Sequence, residues 1–221
     1  MDINNFLFWI GHASFYIKHN DKIIFIDPFN ISNSIREKAD LILITHAHSD
    51  HFSKDDIKKV MKPEAEIICS NGCFKDSDFK NFRVIEPGFE TDYHGLKINA
   101  IPAYNTKKER LMFHPKSNKW VGYIVDVDGF KIYHAGDTDF IEEMKSLNGL
   151  GASLLPIGGT YVMEVEEAIQ AASAINAKYA VPMHYKQLLG KEGSAAAEEK
   201  WRKNLKNALI MKEVQEPKFS F

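Results

Sequence analysis

The chain has 221 residues, of which 44% are hydrophobic and 26% charged, with a formal net charge of −2. That length suits one large domain, or at most two tightly fused halves, and the composition is that of an ordinary globular protein rather than a disordered one. A charge this close to neutral gives no broad attraction to a phosphate backbone, so nucleic acid is not an expected partner.

The first residues, Met1-Asp2-Ile3-Asn4-Asn5, carry an acid where a secretory signal carries Lys or Arg. The apolar run 6–10 is too short for a signal core or a span, and no later segment reaches about 18 uninterrupted apolar residues, so a cytoplasmic protein is expected. Short β-rich runs follow at 6–10, 14–18, 22–26 and 41–45, each bounded by Gly, Asn or Asp. Ser53 before Asp55 and Asp56 predicts a capped helix start leading into Ile57, Val60 and Met61, because acids near a helix N-terminus are favoured by its dipole. Cys69 and Cys73 are read as reduced thiols, since a two-cysteine zinc site lacks its other two ligands nearby. Apolar residues recurring every three or four positions predict helices over 139–147, 164–175 and 195–211.

An internal repeat is visible. Phe15-Tyr16-Ile17, a turn at Asn20-Asp21 and a run ending at Asp27 are echoed by Gly122-Tyr123-Ile124-Val125, a turn at Asp128-Gly129 and a run approaching Asp137. Two β-rich halves, each followed by helices, predict a two-sheet sandwich with helices on both outer faces. The stretch 104–119 interrupts the pattern and is long enough to be functional.

The chemistry concentrates where an apolar run, Ile42-Leu43-Ile44, meets Thr45-His46-Ala47-His48-Ser49-Asp50-His51. Alternation at a strand end turns His46 and His48 to one side, where both can reach one metal ion. Asp50 and His51, on the turn beyond, can serve a second ion as in two-metal hydrolases. His19 and His94 sit in turns and are read as solvated, and His134 as packed within a strand.

The run from His46 to His51 is similar to the His-x-His-x-Asp-His signature of the metallo-β-lactamase superfamily. Further segments carry the resemblance over nearly the whole chain: Ile26-Asp27-Pro28, Tyr133-His134-Ala135-Gly136-Asp137-Thr138 and Pro182-Met183-His184-Tyr185. Trp9-Ile10-Gly11-His12-Ala13 and Gly136-Asp137-Thr138 resemble a branch that includes L-ascorbate-6-phosphate lactonase, N-acylphosphatidylethanolamine phospholipase D and many other hydrolases. The resemblance implies an α+β, four-layer αββα sandwich over a single domain, 1–221. It implies metal ligands His46, His48, Asp50, His51, Asp137 and His184, with Asp137 bridging two ions and Asp27 acting behind the ligands. One or two divalent ions are expected, zinc first, although such ligands also accommodate manganese, iron or nickel.

The implied activity is hydrolysis of a small, anionic ester, lactone or phosphodiester by a hydroxide formed on the metal. Asp50 and His12 are the catalytic candidates. A nuclease of the same superfamily and a non-catalytic metal-binding protein are the alternatives. One position departs from the family: where a third histidine of the first site is expected, the chain has Asn105. His114 folding back, Asn105 directly or through water, or an incomplete site are the three options. Lys107, Lys108, Arg110, Lys116 and Lys119 lie in the same stretch against the single acid Glu109, which suits an anionic substrate. His114 and Tyr161 are the substrate-binding candidates, and Gly158-Gly159 would let backbone approach a ligand closely.

Overall fold

The computed structural model describes residues 2–73 and 79–215. Two compact units emerge: Met1–Ile85 with Met211–Phe221, and Glu86–Ile210. Each holds one six-stranded mixed sheet.

In the first unit, β1 (Leu7–Gly11), β2 (Ser14–His19) and β3 (Lys22–Ile26) form an antiparallel meander. Asn20, with φ 51°, makes the tight turn between β2 and β3. From β3 the sheet continues in parallel through β4 (Ala39–Ile44), β5 (Met61–Ser70) and β6 (Phe82–Ile85). Leu41 to Ile44 of β4 are all buried, as an inner parallel strand covered on both faces requires. Between β4 and β5 runs α1 (Lys54–Val60), started by Ser53 accepting from the Asp56 N–H as expected. Its Ile57 and Val60 join a buried cluster with Ile10, Phe25, Ile42, Ile67, Cys69 and Cys73. Both cysteines are buried free thiols.

The second unit repeats the plan. β7 (Glu90–Tyr93), β8 (Leu96–Pro102), β9 (Val121–Val127) and β10 (Phe130–His134) are antiparallel, and β11 (Leu150–Pro156) and β12 (Tyr179–Met183) extend the sheet in parallel. The repeat read from sequence is therefore structural: the β2–β3 and β9–β10 hairpins each lead into a parallel neighbour, with Asp27 and Asp137 just beyond β3 and β10. Gly122 on β9 is required for packing, since a Cβ there would lie 2.5 Å from the His134 carbonyl oxygen.

Helices differ from expectation in two places. The one predicted over 139–147 is only a 3-10 turn, Glu142–Ser146. Just before it, the Asp139 N–H donates to the Tyr104 carbonyl and the Phe140 N–H to the Glu167 carboxylate. Helix α2 (Val165–Ile175) lies where expected. The helix predicted over 195–211 runs from Lys186 to Asn204 as α3, kinked at Gly190. It stops early because the apolar residues after it, Ala208 and Leu209, bond along β12 at Ala180 instead of continuing the helical stripe. His19, expected in solvent, is buried at 8% exposure and contacts the Asn20 amide, whereas His94 is exposed in its turn. Among the described residues no helix is long and apolar enough to cross a membrane.

Candidate metal centre

In the first unit the histidine cluster begins where β4 ends. The chain turns at once, with the His51 and Phe52 N–H groups both donating to the His48 carbonyl. This brings His46 Nε2 to 3.1 Å from His48 Nδ1, as strand-end alternation predicted. His12, Asp50 and His51 form a second group whose ligand atoms all lie within 4.8 Å of one another. Within it His12 Nε2 is 3.0 Å and His51 Nε2 3.8 Å from Asp50 Oδ2.

Asp27 organises both groups from behind. Fully buried, it accepts from the Thr45 N–H at 2.8 Å, from Thr45 Oγ1 at 2.6 Å and from His51 Nδ1 at 2.7 Å. A buried carboxylate can only accept, so His51 carries its proton on Nδ1 and presents Nε2 as a lone pair. Thr45 Oγ1 spends its single proton on Asp27 and therefore accepts from His46 Nδ1 at 2.9 Å. The same conclusion follows for His46: its Nε2 is left as the lone-pair atom.

In the second unit Asp137 and His184 are buried, with His184 Nε2 3.2 Å from Asp137 Oδ2. His184 follows β12 with φ 56°, and Asp27 and His12 likewise have positive φ, at 46° and 51°. Non-glycine residues held there cost of the order of 1–3 kcal/mol each, and such strain gathers at functional sites. Gly158 serves the His184 turn, because a Cβ at this position would lie 2.3 Å from the His184 carbonyl oxygen. His134 is buried with Nδ1 accepting from the Gly136 N–H, in keeping with a packing role.

The stretch 104–119 is irregular, as read from sequence, but braced from within. His114 is buried, its Nε2 3.4 Å from Asp137 Oδ2, and Asn105 is buried beside it. Tyr161 is 39% exposed and stacks edge-on against Phe113. Four of the five basic residues expected to greet an anion are ion-paired: Lys107 and Arg110 with Glu167, Lys116 with Glu143, Lys119 with Glu86. Sequence reasoning missed these partners because Glu86, Glu143 and Glu167 lie far from the loop in sequence. It also missed Thr45, which relays Asp27 to His46, and Asp139, fully buried and accepting from the Asn105 side-chain amide at 3.1 Å and from the N–H groups of Thr106 at 2.7 Å and Lys107 at 2.9 Å, since both roles depend on tertiary placement.

Imidazole and carboxylate donors in this density, with Nδ1 of His46 and His51 already engaged, fit a divalent metal centre of the hydrolytic kind. A family model described as "Beta-lactamase superfamily domain" matches residues 7–184. The chain is 33% identical over 192 residues to a UPF0173 metal-dependent hydrolase of Thermoplasma acidophilum, covering 81% of this chain and 82% of that protein. It is 36% identical over 190 residues to a UPF0173 metal-dependent hydrolase of Thermococcus kodakarensis, with 80% and 83% covered. A crystal structure from Parabacteroides distasonis, described as a metal-dependent hydrolase, superposes with a TM-score of 0.82 at 32% identity, covering 95% of this chain and 93% of that one. The metallo hydrolase Igni18 of Ignicoccus hospitalis shares the fold at a TM-score of 0.72 and 24% identity, covering 97% and 98%. The chain belongs to the β-lactamase superfamily domain family, has its α+β fold, and is a metal-dependent hydrolase of that superfamily.

Proposed function

We propose that the chain works as a single hydrolase domain, 1–221, in which His46, His48, Asp50, His51, Asp137 and His184 hold one or two divalent ions, zinc first. The observation that carries this reading is the Asp27 anchor: one buried carboxylate, directly and through Thr45, sets the tautomers of His51 and His46 so that each offers Nε2. Support for the full ligand set comes from the family and from the donor chemistry of each group.

When bound, such an ion lowers the pKa of its water to about 7 and stabilises the oxyanion of the transition state. Asp50 is the side chain we assign to orienting the nucleophile, by accepting its hydrogen bond, when the metal is bound. We assign to His12 the role of proton donor to the leaving group, a reading supported by its Nε2 lying 3.0 Å from Asp50 Oδ2. Trp9 Nε1 donates to the His12 carbonyl at 3.0 Å and steadies this strained residue.

The substrate class proposed is a small anionic ester, lactone or phosphodiester in the cytoplasm. With most of the cations in 104–119 neutralised, the attraction for its anionic group rests on the metal ions and on Lys108, for which no ion pair exists among the described residues. Tyr161 and His114 are the side chains proposed to contact it. The test is Asp137→Ala, with metal content and hydrolysis of a panel of lactones, esters and phosphodiesters measured together. Loss of both, with the circular dichroism spectrum kept, is expected; unchanged metal content and turnover would overturn the reading.

A further inference from the structure

Among the described residues six large apolar side chains are exposed, and four of them lie in the second unit: Leu111, Met112, Tyr161 and Leu188. An apolar residue standing singly on a surface needs no explanation. These four are gathered. Leu111 and Met112 are consecutive, and Phe113 beside them stacks edge-on against Tyr161 with ring centroids 4.8 Å apart. Leu188 continues the edge, since a Cβ on Gly158, three residues before Tyr161, would lie 2.5 Å from its Cδ1.

The turn that carries Leu111 and Met112 is held in shape from inside the unit. The Arg110 and Leu111 N–H groups donate to the Lys107 carbonyl at 2.9 and 3.1 Å, and the Phe113 N–H to the Arg110 carbonyl at 2.9 Å. Arg110 is buried, pairs with Asp139 at 3.1 Å and Glu167 at 2.6 Å, and donates to the Val162 carbonyl, which ties the turn to the segment of Tyr161. With Arg110 drawn inward, the next two side chains are left outward: Leu111 is 45% and Met112 79% exposed. The tip is thus preorganised, its ordering entropy lost on folding rather than on binding.

Shape, size and charge decide what such a tip meets. A small-molecule pocket is concave and encloses most of its ligand. A methionine left 79% in water is no wall of one. Four exposed side chains make a patch of about a few hundred Å², below the ~800 Å² per partner of a stable protein interface. The segments 107–113 and 186–191 carry Lys107, Lys108, Arg110, Lys186 and Lys191 against the single acid Glu109. Lys107 and Arg110 are spent on Glu167 and Asp139, but Lys108 and Lys191 are exposed and have no ion pair among the described residues. Apolar side chains at a tip, a tyrosine at its edge and lysines behind it match the acyl boundary, the interface and the anionic headgroups of a bilayer.

We propose that Leu111, Met112, Tyr161 and Leu188 form a peripheral docking surface for an anionic lipid bilayer, with Leu111 and Met112 entering the acyl boundary and Lys108 and Lys191 facing the phosphate headgroups. The protein then lies on the bilayer without spanning it. The inference needs no metal and stands apart from the metal-centre reading.

The experiment uses the full chain and vesicles of phosphatidylcholine mixed with phosphatidylglycerol, or of phosphatidylcholine alone. Co-sedimentation is compared for wild type, Met112→Asp, Lys108→Glu and, as a control exposed on the first unit, Val84→Asp. Wild type is expected to bind the phosphatidylglycerol vesicles more tightly than the neutral ones and to lose affinity as salt is raised. Met112→Asp should bind about tenfold or more weakly, Lys108→Glu about 5–30-fold more weakly, and Val84→Asp as wild type does. Met112→Trp keeps the apolar tip, and its added fluorescence should shift to the blue and be quenched by brominated acyl chains. Wild type that does not sediment with phosphatidylglycerol vesicles, Met112→Asp that binds like wild type, or Met112→Trp that is not quenched would each overturn the proposal. A dimer seen by analytical ultracentrifugation and lost in Met112→Asp, without vesicle binding, would assign the patch to a second copy instead. A raised KM for a soluble nitrophenyl phosphodiester in Met112→Asp, with vesicle binding unchanged, would assign it to substrate.

Discussion

Asp27 is fully buried, and among the described residues its carboxylate accepts from Thr45 and His51, which frame the turn after β4. An amide at this position keeps the shape but turns an NH2 group towards donors. Asp27→Asn should therefore weaken metal binding about 10–100-fold, read by chelator competition, while far-ultraviolet circular dichroism stays unchanged. Equal affinity in the variant would show that the tautomers of His46 and His51 are set by something else. Asp27 was legible in the sequence as a strand-end acid with a family counterpart. Thr45 was not, because a threonine ending an apolar run signals nothing until its hydroxyl is seen between Asp27 and His46.

At the scale of elements, two contacts hold the segments that carry His184 and His114. Gly158 lets the turn after β12 pass close to the end of β11, and a Cβ at that point meets the His184 carbonyl oxygen at 2.3 Å. Gly158→Ala should cost about 1–3 kcal/mol in denaturant unfolding, as overpacking does, and lower metal affinity by displacing His184. A variant as stable as wild type with full metal content would mean that the turn relaxes freely. The second contact joins α2 to the loop 105–114 through Glu167, which pairs with both Lys107 and Arg110 at 2.6 Å. Glu167→Gln should raise amide hydrogen exchange across residues 106–113 above wild type, with β9 and β10 unaffected. Equal exchange would place the brace in Asp139 alone.

Across the whole molecule, Glu37, Asp40, Glu143 and Glu167 share one electrostatic pattern. Burial by itself pushes each carboxyl up, but Lys18 beside Glu37, Lys62 beside Asp40, the backbone N–H, Tyr104 hydroxyl and then Lys116 at Glu143, and the Lys107–Arg110 pair beside Glu167 outweigh it and hold each below the usual carboxylate range. A carboxyl that releases its proton more readily when folded contributes stability that is fully present above the unfolded value, about 4.3 for Glu and 3.9 for Asp. That stability is lost as pH falls through the lower folded values. The gap in thermal midpoint between wild type and Glu167→Gln should thus be widest near pH 7 and close as pH drops below about 4. A gap that is constant with pH would assign the stabilisation to packing rather than to charge.

What the sequence determined by itself was whatever depends on neighbours along the chain. The strands before Asp27, the clustering of His46 to His51 at a strand end and the paired hairpins were readable because alternation and turn residues are local. The Ser53 cap belongs with them, since an N-cap acts within one helical turn. Tertiary structure decided what depends on partners distant in the chain. The apolar residues of 205–209 were indistinguishable from a helical stripe until β12 offered its Ala180 groups. The cations of 104–119 looked available until Glu86, Glu143 and Glu167 met them, because a charge in sequence carries no record of its counter-ion. The hydrogen-bond partners of the Asn105 amide were hidden in the same way. Those groups come from residues 114, 139 and 161, which only the fold assembles.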